Sequence, residues 1–325
     1  MKFTHSLVHF LIAVATLGLC AVAQAQNYPT KSVRFIVPQA TGGASDVLAR
    51  IVAQKLAEQW AQQVIVDNRV GAGGNIGTEM AARAVPDGYT WLLGFPGTHA
   101  INPALYKNLT WDPEKNFAPV ANLAVVPYVI VANNNLPAKN MQELMALAKA
   151  KPGELKYGSG GNGTVNHLIG PMIATAGGVK MTHVPYRGIA IASTSVIAGE
   201  VQLAFSSLPT VIGHIRGGLL KPLAVTTVKR LDALKDVPTM IESGFPGFEL
   251  TPWFGVLTTS GTPQAVVQKI NADINKLLAQ KDVVEKFAGQ GADPAPWSPE
   301  QFAKVIRADI VKWAKVVKES GATLD

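Results

Sequence analysis

The sequence predicts an α/β fold, and three observations lead to it. Short apolar runs such as Val33–Val37, Val64–Val66 and Trp91–Gly94 alternate with stretches whose apolar residues recur every three or four positions. Glycine-rich loops stand before helical patterns at Gly42-Gly43, at Gly71 to Asn75 and at Gly158 to Thr164. The chain has 325 residues, long enough for two lobes. Alternating strands and helices argue for sheets covered by helices.

The first residues are expected to be removed. Lys2 supplies a positive start, Leu7 to Val22 an apolar stretch, and Ala23-Gln24-Ala25 the small-x-small form of a cleavage site. Cleavage after Ala25 gives an exported, periplasmic chain. Cys20 does not make a lipid anchor, because Leu19 stands where a small residue is required. Cys20 is also the single cysteine, so the mature chain has no disulfide, no thiolate nucleophile and no cysteine-ligated metal. A chain of this size buries enough apolar surface without them.

The first strand, Val33–Val37, runs into Pro38-Gln39-Ala40-Thr41-Gly42-Gly43-Ala44-Ser45-Asp46. A helix follows on Val47, Leu48, Ile51, Val52 and Leu56. Ser45 or Asp46 is expected to cap it. Gly42 and Gly43 let the backbone turn and approach a ligand. Free N–H groups and the helix dipole then make a site for an anion. Gly43→Val is expected to abolish binding in a protein that still folds, with Ala40→Val the milder change.

The pattern repeats along the chain. Val64-Ile65-Val66 leads through Asp67-Asn68-Arg69 to the loop Gly71-Ala72-Gly73-Gly74-Asn75 and a helix from Ile76. Trp91–Gly94 is a third strand, followed by Thr98 and His99 near its C-terminal end, where open α/β sheets bind ligands. His99 reads either as a structural hydrogen-bonder or as a functional group. Val120 to Val131, broken by Pro127, reads as a strand passing between lobes. A helix over Met141 to Ala150 precedes the third loop, whose helix runs from Val165. His183-Val184-Pro185-Tyr186-Arg187-Gly188 is a strand end entering a loop, with a helix from about Ile191. Trp253–Leu257 reads as the strand returning to the first lobe, and the tail is helical.

The net charge is +7, and removing Lys2 with the leader leaves 28 basic against 22 acidic residues, or +6. No dense basic run with interleaved aromatics marks a nucleic-acid site. Gly158 to Gly163 matches G-x-G-x-x-G, but no Asp or Glu occurs between Thr164 and Gly199 to hold a ribose, so no dinucleotide cofactor is expected. No nucleophile elbow surrounds the serines, and beyond the expected leader no histidine pair has metal-ligand spacing. The chain offers binding chemistry without a catalytic set.

Taken together, the Pro38 to Asp46 loop, Asp67-Asn68-Arg69 with Gly71 to Asn75, Pro86-Asp87-Gly88-Tyr89, His99 to Pro103, Gly161 to Thr164, His183 to Gly188 and Asp236-Val237-Pro238-Thr239 resemble the Bug family, the substrate-binding proteins of tripartite tricarboxylate transporters. The resemblance implies a type II periplasmic-binding-protein fold with two α/β lobes, a hinge and a ligand clamped between them. The implied bounds are 27–124 with 251–325 for the first lobe and 125–250 for the second. It implies a small carboxylate as ligand, membrane permease subunits as partners, a monomer and no enzymatic activity. The implied ligand-binding set is Gln39, Thr41, Gly42, Gly43, Ser45, Asp46, Ala72, Gly73, Gly74, Asn75, Thr98, Gly161, Asn162, Gly163, Thr164, Arg187 and Ser206. Gln39, Thr41, Pro171 and Ser206 depart from the family's usual residues, and Arg187 reads either as a pocket cation or as a surface ion pair. A two-lobed sensor and a secreted enzyme using Arg187 or His99 are the alternatives.

Overall fold

The computed structural model describes residues 28–320; the expected leader and its cleavage after Ala25 lie outside them. A first sheet contains β1 (Val33–Val37), β2 (Val64–Asn68), β3 (Thr90–Gly94), β4 (Phe117–Val125), β10 (Trp253–Thr259) and β11 (Asp293–Pro294). Its order is β11-β4-β10-β3-β1-β2. A second sheet contains β5 (Tyr128–Ala132), β6 (Lys156–Ser159), β7 (Thr182–Pro185), β8 (Leu203–Ser207) and β9 (Lys221–Val225), in the order β7-β6-β8-β5-β9.

Helices cover both sheets, so β1 reads as a nearly continuous apolar strand buried on both faces. After β1 comes α1 (Ala44–Trp60), which buries Leu48, Val52 and Leu56 on its inner face. After β2, a short turn of 3-10 helix over Ala72–Gly74 leads into α2 (Asn75–Ala82). After β3 come a π-type turn over Gly97–Ile101 and the short α3 (Asn102–Leu105). The second sheet carries α4 (Met141–Ala150), α5 (Val165–Gly177), α6 (Ile189–Ala198) and α7 (Leu208–Arg216). The tail holds α8 (Gln264–Leu278), α9 (Lys281–Gly289) and α10 (Pro299–Ser320).

The apolar run Val120–Val131 is two strands, not one. β4 ends in the first sheet and β5 begins in the second, with Val126-Pro127 between them. Proline has no N–H to donate and so interrupts the ladder where the chain changes sheet. The return lies alongside: Val126 N–H donates to Pro252 O at 2.8 Å, and Thr226 Oγ1 donates to Leu250 O at 2.6 Å. The two crossovers are thus hydrogen-bonded neighbours; the cores under the two sheets are joined elsewhere, because Ala100, Ile101 and Leu105 of the first lobe pack with Ile130, Leu168 and Phe205 of the second.

α8 and α9 contribute Val266, Ile270, Ile274, Val283 and Phe287 to the core under the first sheet. α10 does not stay with them. Phe302 and Ile306 pack with Ile36, Leu92 and Trp253, but Trp313 and Val317 enter the core that holds Ile130, Leu168 and Phe205. A 22-residue helix is about 33 Å long, enough to run from one lobe onto the other. Packing of the whole tail on the first lobe is corrected accordingly.

Candidate functional site

Each glycine loop positions a helix N-terminus, and a fourth helix joins them. α1 begins at Ala44, earlier than expected, and its N-cap is Gly43 rather than Ser45 or Asp46. Both of those side chains are buried in the first turn. Ser45 Oγ donates to Gln39 Oε1 and so tethers the glutamine at the cleft wall. Asp46 accepts from Gly42 N–H at 3.0 Å, from Asn68 Nδ2 at 3.0 Å and from Arg50 Nε at 2.9 Å. Burial opposes its charge, yet these bonds to Arg50, Gly42 and Asn68 hold its carboxyl below the usual carboxylate range. Asp46 therefore shapes the loop from behind.

The expectation for Gly43 also changes. Its φ is −79° and ψ 167°, an extended conformation open to any residue. A Cβ there would meet only Ala40 O at 3.6 Å and Ile189 Cγ2 at 3.9 Å. The left-handed residue is Gly42, with φ 83°. Ala40, chosen as the mild position, faces Gly188 across the cleft, where an added Cβ would lie 2.7 Å from Ala40 Cβ. Gly42→Ala is expected to cost about 1–2 kcal/mol through its left-handed backbone. Gly43→Ser is expected to keep or raise stability, since serine caps a helix well. Thermal unfolding of the two variants checks the order.

In the second loop Ala72, Gly73 and Gly74 are all left-handed, at φ 47°, 64° and 96°. Asn102 Nδ2 holds the loop by donating to Gly73 O at 3.1 Å and to Asn75 Oδ1 at 2.7 Å. In the third, Thr164 is the N-cap of α5, with its hydroxyl oxygen 3.4 Å from His167 N–H. The fourth is Pro185 to Ile189. α6 starts at Ile189, not near Ile191, with Gly188 as its N-cap and no side chain capping it. The signal was present: Gly188 stands between a strand and an apolar helical run, as in the other loops.

The four N-termini open onto one cleft of about 550 Å³ between the lobes. From the first lobe come Pro38, Gln39, Ala40, Gly43, Val70 to Gly74 and Tyr106; from the second come Gly160 to Asn162, Thr164 and Pro185 to Ile189. Among these lining residues Arg187 is the sole ionised side chain, and no carboxylate is present. The first backbone N–H groups of a helix have no intrahelical acceptor, so the cleft wall is rich in donors and carries the positive ends of four helix dipoles. Such a wall suits an anion.

Of the expected contacts, Gln39, Gly43, Ala72, Gly73, Gly74, Gly161, Asn162, Thr164 and Arg187 come together on that wall. Thr41 and Gly42 are exposed at the loop's outer side and do not line it. Gly163 faces Asn102 between the lobes, and Asn75 is engaged by the same asparagine. Thr98 is fully buried, with its hydroxyl donating to Phe95 O at 3.2 Å and 2.9 Å from His99 Nδ1. Ser206 is buried on β8, its Oγ 2.9 Å from Ser193 Oγ of α6. These hydroxyls serve the protein's own hydrogen bonds and do not reach the cleft. His99 is buried among Trp111, Phe117 and Trp253, and burial pushes its pKa down to about 3. It is away from the cleft, so the enzyme alternative loses its histidine. Reading the loops by glycine pattern missed the apolar part of the wall: Pro38, Val70, Tyr106, Pro185, Tyr186 and Ile189.

Among the described residues there is no group of three or more metal-ligating side chains, and no helix is long and apolar enough to cross a membrane.

The chain is similar to known proteins over nearly its whole length. The family described as tripartite tricarboxylate transporter family receptor matches residues 48–322. Protein BugT of Bordetella pertussis is 36% identical over 325 residues, covering 100% of both chains. The structure of R. palustris Rpa4515 with adipate has a TM-score of 0.89 at 36% identity, covering 91% of this chain and 100% of that one. MatC from Rhodopseudomonas palustris with bound malate has a TM-score of 0.85 at 31% identity, covering 89% and 100%.

Proposed function

The chain belongs to the tripartite tricarboxylate transporter receptor family, and from that premise we propose that it closes two lobes on a small organic carboxylate and delivers it to membrane permease subunits. The family is one of periplasmic solute-binding receptors, not enzymes, with the type II periplasmic-binding-protein fold. The lobes are read as 27–124 with 251–325 and as 125–250, α10 being shared between them. The first 25 residues are read as the export signal.

One observation carries the ligand class. Four helix N-termini open on a cleft whose lining holds a guanidinium and no carboxylate. Taking an anion out of water is costly unless donors replace the lost hydration, and preorganised N–H groups do so without reorganisation. The apolar part of the wall, Val70, Pro185 and Ile189 among it, suits the hydrocarbon body of such an acid. Adipate and malate in the two relatives are acids of this size.

Native mass spectrometry of freshly purified protein tests the reading. A retained small acid, released intact on denaturation, is the expected result. A retained sugar, amine or metal ion in its place would reject the carboxylate assignment.

A further inference from the structure

Two histidines are stacked directly behind the third loop. The rings of His167 on α5 and His183 on β7 lie with centroids 4.2 Å apart and planes 21° apart. Neither ring lines the cleft, but each is bonded to the loop that does. Gly163 N–H donates to His167 Nδ1 at 3.3 Å. His183 Nε2 is 2.6 Å from Ser159 Oγ.

The protons on these rings follow from counting donors. A backbone N–H can only donate, so His167 Nδ1 is bare and its proton is on Nε2. Ser159 Oγ donates to Gly161 O at 3.2 Å and accepts from Gly161 N–H at 3.1 Å. Its remaining lone pair takes the His183 Nε2 proton. His167 is thus neutral in the loop-bound arrangement, and His183 carries its proton on Nε2.

The backbone of His167 is fixed as well. Pro171 sits four residues further along α5 and has no N–H for the His167 carbonyl. Tyr157 Oη donates to that carbonyl at 3.2 Å instead. Tyr157 also stacks on His183, with centroids 5.0 Å apart. Tyr157, His183 and His167 form one pile, anchored at one end by a carbonyl that a proline freed.

We propose that His167 is a proton-sensitive positioning residue: its bare Nδ1 holds Gly163, and with it the Gly161–Thr164 wall of the cleft, and a proton placed on Nδ1 releases that wall. The titratable groups facing the pair are the two rings themselves, Tyr157 on β6, and Tyr106, which lies beside Gly163 from the first lobe. A charge on one ring opposes a charge on the other. Burial holds His167 below its ordinary 6.5, and burial followed by repulsion from His167 holds His183 down to about 4. Because the native pKa values are depressed, the neutral arrangement is fully favoured above the ordinary value of 6.5 and is lost as the pH falls through the window toward 4. The loss has a further effect between the lobes. Gly163 faces Asn102 of the first lobe, so releasing it loosens a close approach between the lobes. Weaker ligand capture in acid follows if the carboxylate reading of the cleft holds; the release of the loop does not depend on it.

Nitrogen-15 NMR of the mature chain with no ligand added, from about pH 7.5 to about 4.5, tests the proposal. The expected result is a neutral His167 with bare Nδ1 and a Gly163 amide signal that moves with the His167 titration. Hydrogen exchange of the Gly161–Thr164 amides, corrected for its intrinsic pH dependence, should quicken by about tenfold or more across that titration. His167→Asn places Oδ1 near the position of Nδ1 and should hold the loop at every pH. His167→Leu should show fast exchange at every pH. A neutral ring protonated on Nδ1, a Gly163 amide indifferent to His167, or the same acid response in His167→Asn would overturn the proposal. Failure of every carboxylate to bind would leave these outcomes standing, so the two readings fail separately.

Discussion

Gly73→Ala is expected to weaken ligand binding by about 30-fold, or about 2 kcal/mol, in a protein that remains folded. Gly73 has φ 64°, and a Cβ there would lie 2.7 Å from Asn162 O of the opposite lobe and 3.0 Å from Tyr106 Oη. Asn162 O is backbone on the cleft's far wall, so it yields only if the lobes stay apart. The left-handed conformation alone costs alanine about 1–2 kcal/mol. That is small against the roughly 5–15 kcal/mol of a typical domain. Gly153→Ala is the control. Gly153 has φ 83° with nothing within 4 Å of an added Cβ, so it carries the same kind of strain and no wedge. Similar drops in thermal stability, with affinity reduced in Gly73→Ala alone, are the expected pair of results. Wild-type affinity in both would mean that the observed approach of the lobes is not needed for binding.

Arg187→Glu is expected to reduce affinity on the order of 100-fold. Arg187 is the ionised side chain of the lining, and reversal turns its attraction for an anion into repulsion. Two unit charges about 6 Å apart interact by roughly 1.4 kcal/mol at an effective dielectric constant near 40, suited to an exposed group, and reversal changes the energy by about twice that. Arg187 is exposed, so salt should shrink the effect, and the loss should be larger in dilute buffer. Arg187→Gln, which removes charge without reversing it, should cost about tenfold. Calorimetric titration at two ionic strengths measures both. An Arg187→Glu affinity within about threefold of wild type would assign the guanidinium to the surface, and the helix N-termini would hold the ligand alone.

Local patterns were legible in the sequence and cross-strand partners were not. Strand, glycine and helix follow one another in the chain, so the loops at Gly43, Gly74 and Gly161 could be read directly, and the Gly188 loop could have been read the same way. Which glycine of a pair turns left-handed depends on where the helix starts. α1 begins at Ala44, and that moves the turn from Gly43 to Gly42. Thr98 and Ser206 looked like contacts because they sit near strand ends. Their hydroxyls meet His99 and Ser193, and the Ser193 partner is fixed only when α6 packs on β8. Tyr106 comes to the cleft from a third connection of the first lobe, and no spacing in the sequence announces it. The division of α10 between lobes is likewise a matter of length and packing. Its apolar positions are periodic whichever core receives them.

Isothermal titration of the ligand-stripped protein with a series of small mono- and dicarboxylates tests the central claim most directly. The account predicts saturable binding of one equivalent of a carboxylate, weakened about 30-fold in Gly73→Ala and kept in Gly153→Ala. Silence from every carboxylate, with saturable binding of a neutral or cationic solute at the same cleft, would contradict it.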